Sequence, residues 1–150
     1  MSLQQLPEAE HCDDHVALSM AASNFNVLSL HGCTAVTAGA PADRPEAVVG
    51  GRNATFKRYL TEELSGAGFQ TIDGASNPAL DGDSPDNICN RTVLGKGGQP
   101  ELTTELRRSM FGTFTRTGCA PGTNQTLWSF TAACRAAIAR LEAGPDQVTL

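Results

Sequence analysis

Aromatic side chains are scarce in this chain of 150 residues: six Phe, one Tyr and one Trp. Its core must therefore be built on aliphatic side chains. Long apolar runs are missing too. None approaches the roughly 20 residues needed to span a bilayer, so no membrane partner is expected. Met1 to Glu10 shows neither a basic n-region nor an apolar h-region, so no signal peptide is read there and a cytoplasmic location is the default. Basic charge is also thin. Eleven Lys and Arg stand against 16 Asp and Glu, a formal net charge of −5. A nucleic-acid binder would show a basic stripe, and none is present. The five cysteines, Cys12, Cys33, Cys89, Cys119 and Cys134, form no CxxC pair, which argues against a zinc ribbon or a thioredoxin-type site. Their odd number cannot close into intrachain disulfides alone, so reduced thiols are expected. Three N-x-T sequons, at Asn53, Asn90 and Asn124, have no secretion signal to serve and read as coincidence.

What is present suits one globular domain over 1–150, with 40% hydrophobic and 18% charged residues. Asp13 or Asp14 can cap a short helix through about Ala22. "NVLSLH" (26–31) reads as a buried strand that ends on His31 and breaks at Gly32. Residues 32–47 read as a long loop, and "AVVGG" (47–51) as a second strand. From 53 to 67, Phe56, Tyr59, Leu60 and Leu64 recur at helical spacing. "FQTI" (69–72) is the next strand, so strand, helix and strand follow the grammar of an α/β fold. Residues 73–87, "DGASNPALDGDSPDN", form a polar excursion long enough to suggest function or disorder. Thr103 can cap a helix reaching about Phe111. A closing helix over 126–143 carries the stripe Leu127, Phe130, Cys134, Ala137, Ile138 and Leu141, and Gly144-Pro145 stops it.

Several residues can carry chemistry. His31 stands at a strand end, where α/β sheets place working groups, and a neutral imidazole there can bind a metal or simply hydrogen-bond a loop. Cys33 beside it raises a Cys nucleophile with His31 as base, but nothing nearby supplies an oxyanion hole. "HCDDH" (11–15) spaces His11 and His15 like the HExxH zinc signature, yet lacks its glutamate. Glu101, just before a helix, either favours the helix dipole or acts as a general base. Arg91, after Asn90, suits capture of a carboxylate or is an ordinary surface arginine. Arg107 and Arg108 read as a solvated helix face.

In order along the chain, "LSLHGC" (28–33), "VVGG" (48–51) and "SPDNICNRTVLGKGGQPELTTELRRSMF" (84–111) resemble the phage-type poly-gamma-glutamate hydrolase family, which is similar in fold to the zinc carboxypeptidases. The resemblance covers about 9–112. Its most specific part is N-I-C-N-R followed by G-x-Q-x-E-L. It implies a single α/β domain with a mixed, mainly parallel sheet flanked by helices. It implies zinc-dependent hydrolysis of γ-glutamyl amide bonds in poly-γ-glutamate or another acidic peptide. His31 would be a zinc ligand and Glu101 the carboxylate that activates the zinc-bound water, and Asn90 and Arg91 would hold a substrate carboxylate or steady the developing oxyanion. Family members carry a further histidine and a glutamate ligand in a segment upstream of this Met1, so the chain resembles an N-terminally truncated member. A truncated homologue that binds acidic peptides without catalysis is the alternative. Pro100 stands where the family has an apolar strand residue, and a proline inside a strand threatens to displace Glu101.

Overall fold

The structure, a computed structural model, describes residues 11–147. The stretch read for a signal peptide and the first two positions of the family-like region lie outside the described residues. Among the described residues, nine α-helices and strands follow in order: α1 (His15–Ala22), β1 (His31–Cys33), α2 (Ala35–Ala38), β2 (Glu46–Gly50), α3 (Ala54–Gly66), β3 (Gln70–Asp73), β4 (Gln99–Thr103), α4 (Thr104–Ser109) and α5 (Gln125–Glu142). Short side chains start the helices as the sequence suggests. Asp14 accepts from the backbone of Val16 and Ala17, and Thr103 accepts from Leu106. Asn53 and Asn124, both in sequons, also cap, at the starts of α3 and α5.

The four strands lie in the order β1-β4-β2-β3. β1 pairs with β4 and β2 with β3 in parallel, whereas β2 and β4 run antiparallel. The sheet is thus mixed, with two of its three pairings parallel, as the sequence implies. One face carries the main core. There Ala47, Val49 and Leu102 of the sheet meet Phe56, Leu60 and Leu64 of α3 and Phe130, Cys134, Ala137 and Leu141 of α5. Each such large side chain taken out of water contributes ~1.5–3 kcal/mol. The Phe69 ring meets Phe130 edge-on, with centroids 5.4 Å apart. The other face carries a smaller cluster of Cys33, Ala38, Val48 and Leu80. Among the described residues no helix is long and apolar enough to cross a membrane.

Two sequence expectations change at β1. The strand begins at His31 rather than ending there; upstream only Leu28 makes a bridge, to Gly98. Gly32 and Cys33 stay in the ladder, opposite Leu102 and Thr103. The loop expected over 32–47 accordingly contains the end of β1, the short helix α2 and the first residues of β2. Pro100 explains the gap. Gly98 donates to the Val27 carbonyl and accepts from the Ser29 N–H. Facing residues repeat every second position in a parallel ladder, so the nitrogen of Pro100 faces the Ser29 carbonyl and cannot donate to it. The bond is lost toward β1, the edge strand, while the ladder to β2 keeps its donors at Gln99 and Glu101. Proline is tolerated on that side, and Glu101 holds its register against both His31 and Val48.

Candidate active site

Strand register brings His31 and Glu101 together although seventy positions separate them. They are partners across β1 and β4, strands ~4.8 Å apart. Partners in a parallel pair share a face, and alternation along each strand adds Cys33, Gln99 and Thr103 to it. This is the face of the smaller cluster, so the polar group is not covered by α3 and α5.

Glu101 is 7% exposed. Burial pushes its carboxyl up to about 7, against the opposing pull of the Arg107 guanidinium. Its Oε1 accepts from Nε2 of Gln99 at 3.2 Å. Gln99 Oε1 in turn accepts from Asn87 Nδ2 at 2.6 Å. The Nε2 of His31 lies 2.6 Å from the Ser29 hydroxyl, and burial lowers its pKa, favouring the neutral ring. With Nε2–H donating to Ser29, Nδ1 keeps a lone pair for a ligand. Cys33 gains nothing as a nucleophile. Burial, and then the Glu101 charge, push its thiol up to about 11, so it stays protonated near neutrality.

Asn90 is buried and fully engaged. Its Oδ1 accepts from the backbone N–H of Gly97 (3.0 Å) and Arg52 (3.2 Å), and its Nδ2 donates to the carbonyls of Gly82 (2.7 Å) and Ser84 (2.8 Å). It ties the 73–87 excursion to the turn that enters β4. Gly97 is required in that turn, because a Cβ there would come within 1.8 Å of the Cys89 carbonyl oxygen. Arg91, next in sequence, is on the surface. Its Nη2 pairs with Asp86 at 2.8 Å, and its Nε donates to the Asp86 carbonyl.

Arg107 departs from the solvated-face reading. It folds back over β1 and β4, donating to the carbonyls of Leu102 and Cys33 and to the Thr104 hydroxyl. His11 and His15 are exposed at the start of the described chain. No group of three or more His, Cys, Asp or Glu side chains among the described residues is placed to hold a metal ion. Sequence reasoning missed Asn87 and Gln99. The available signal was Q-x-E-x-T, whose alternation puts three polar side chains on one face of β4.

The family model described as poly-gamma-glutamate hydrolase matches residues 8–133. Two Bacillus subtilis (strain 168) proteins are similar in sequence. UPF0714 protein YndL is 33% identical over 81% of this chain and 45% of its own length. The SPbeta prophage-derived UPF0714 protein YoqZ is 31% identical over 77% of this chain and 44% of its own. Two solved structures superpose on 89% of the chain, each with a TM-score of 0.79. One is a zinc-free apo form of YndL, 28% identical, of which 63% is covered. The other is a bacteriophage poly-gamma-glutamate hydrolase, 23% identical, of which 61% is covered; at that identity the likeness concerns the fold. The chain thus spans less than half the length of these curated relatives. With a sequence match over most of its residues and the same arrangement of sheet and helices, the chain belongs to the poly-gamma-glutamate hydrolase family.

Proposed function

We propose that this chain hydrolyses γ-glutamyl amide bonds in poly-γ-glutamate or a similar acidic peptide, with Glu101 as general base. The observation that carries the reading is the register pair of His31 with a buried Glu101, whose carboxyl titrates near 7. A base poised near the operating pH is half ionised there and still basic enough to take a proton from water. The water oxygen bonds to the γ-carbonyl carbon as its proton passes to Glu101. Glu101 then returns that proton to the amide nitrogen as the C–N bond breaks, releasing a γ-carboxylic acid and a free amine.

Arg91 is the proposed anchor for the substrate. A γ-glutamyl chain carries one free carboxylate per unit, and a half-exposed guanidinium held by Asp86 can exchange that partner for a substrate carboxylate. Asn90 contributes by fixing the loop from which Arg91 projects. The chain's net charge of −5 repels a polyanion at long range, so recognition falls to such local cations.

We propose His31 as a metal ligand. Zinc is the metal suggested by the zinc-free apo form of YndL. A catalytic zinc takes about three protein ligands, and the described residues offer His31 without a group of three. The described donor set therefore does not fit a complete zinc centre, and the reading rests on the pairing of Glu101 with His31.

The test is amine release from poly-γ-glutamate by the purified protein, with zinc content measured on the same sample. Wild type should release amine. Glu101→Gln should lower turnover by about 10²–10⁴-fold with unchanged metal content. Binding without amine release, or full activity in Glu101→Gln, would overturn the proposal.

A further inference from the structure

We infer that Asn87 and Gln99 are positioning residues for Glu101, joined to it by a chain of hydrogen bonds whose polarity is set by one backbone N–H. The inference rests on the reading of Glu101 as base. The chain starts at Cys89, whose N–H donates to Asn87 Oδ1 at 3.1 Å. That bond fixes which end of the Asn87 amide is oxygen, so Nδ2 points the other way and donates to Gln99 Oε1 at 2.6 Å. Gln99 is oriented in its turn, and its Nε2 donates to Glu101 Oε1 at 3.2 Å. The three side chains are 3%, 4% and 7% exposed, so water competes poorly for any of these bonds.

Packing confines the glutamine. Gly82 sits directly on Gln99: a Cβ there would lie 3.2 Å from both Cβ and Cδ of the glutamine. Gly82 is itself held by Asn90 through its carbonyl. The loop over 73–87 thus leaves the Gln99 side chain little room beside Gly82, and the orientation of its amide is set by the hydrogen bond from Asn87. The consequence for Glu101 is selective. Gln99 engages Oε1 and leaves Oε2 outside this hydrogen-bond chain for the proton transfer. An amide turned the other way would set an oxygen lone pair against the carboxylate.

Asn87→Asp tests this without changing shape. The aspartate still accepts from the Cys89 N–H, so the local turn is kept, but once ionised at alkaline pH it has no donor for Gln99. The Gln99 amide must then turn its NH2 toward position 87 and its oxygen toward Glu101. Side-chain amide resonances in ¹⁵N-labelled protein, assigned by their loss in Gln99→Leu, should move in Asn87→Asp. On poly-γ-glutamate, kcat should fall by about tenfold or more, with KM held within about twofold. Gln99→Leu should show the same split. Far-UV circular dichroism establishes that each variant is folded. Unmoved Gln99 resonances overturn the inference whatever the activity, and so does an unchanged kcat. A wild type that turns nothing over sinks the hydrolase reading instead, and the resonances alone then decide whether the chain of bonds exists.

Discussion

The guanidinium of Arg107 lies against Gly32, where an added Cβ would come within 2.8 Å of Cζ. Arg107 cannot easily withdraw, because it donates to the carbonyls of Cys33 and Leu102 across the end of β1 and β4. The glycine between His31 and Cys33 is thus a seat for an arginine that clamps the edge strand. Gly32→Ala should destabilise the protein by about 1 kcal/mol, because the guanidinium must release its carbonyl acceptors to make room. In an Arg107→Ala background the same substitution should cost less, because its obstacle is gone. Urea unfolding of the four proteins measures the coupling. Additive costs would show that Gly32 is needed for another reason.

Glu101 is held by the fold at a cost that depends on pH. Its carboxyl titrates near 7 when folded, against an ordinary 4.5. Between those values the folded state binds more protons than the unfolded one, so stability falls as pH rises through this window. Below pH 4.5 both states are protonated there and the penalty vanishes. Above 7 it is complete, on the order of 3 kcal/mol. In metal-free buffer, Glu101→Gln should match wild type near pH 4.5 and exceed it in stability at pH 8. A constant difference across that range would remove the buried carboxylate as its cause.

The same contrast between local and distant causes separates what the sequence reveals from what it hides. The stripe Phe56, Leu60, Leu64 and the Thr103 cap depend on neighbours three or four positions away, and they read correctly. The extent of β1 depends on its partner. The apolar run 27–30 has strand character, yet pairing is broken there by a proline some seventy positions later. Arg107 read as solvated because its acceptor, the Cys33 carbonyl, lies 74 positions away. His31 and Glu101 were each legible as chemistry-bearing residues. Their adjacency is a property of strand order, which no local pattern encodes.

Asn90 and Arg91 are neighbours with opposite duties, and substitution should separate them. Asn90→Asp replaces two amide donors with a carboxylate facing the carbonyls of Gly82 and Ser84. Buried acceptors left without donors cost about 1–3 kcal/mol each, so a large loss of stability is expected. Arg91→Ala removes one exposed ion pair with Asp86, worth about 0–1 kcal/mol. Its effect should fall instead on KM for poly-γ-glutamate. Thermal unfolding and steady-state kinetics on both variants decide the matter. An Arg91→Ala protein with unaltered KM would remove the proposed anchor.

The five thiols divide by burial. Cys33, Cys89 and Cys134 are buried and free. Burial raises their pKa values to about 11, about 12 and about 11 respectively. Only the thiolate reacts, so these three are protected twice, by access and by protonation. Cys12 and Cys119 are partly exposed and also free. A disulfide-forming reagent at pH 8 should therefore label two thiols quickly in the native protein and five after unfolding in guanidinium. The three slow thiols should react at the rate of global opening, because α5 and the sheet must separate before Cys134 is reached. Fast labelling of Cys33 in particular, detected by peptide mapping, would mean that the face holding Glu101 is wetter than its burial implies. The raised pKa of that glutamate would then lose its physical cause.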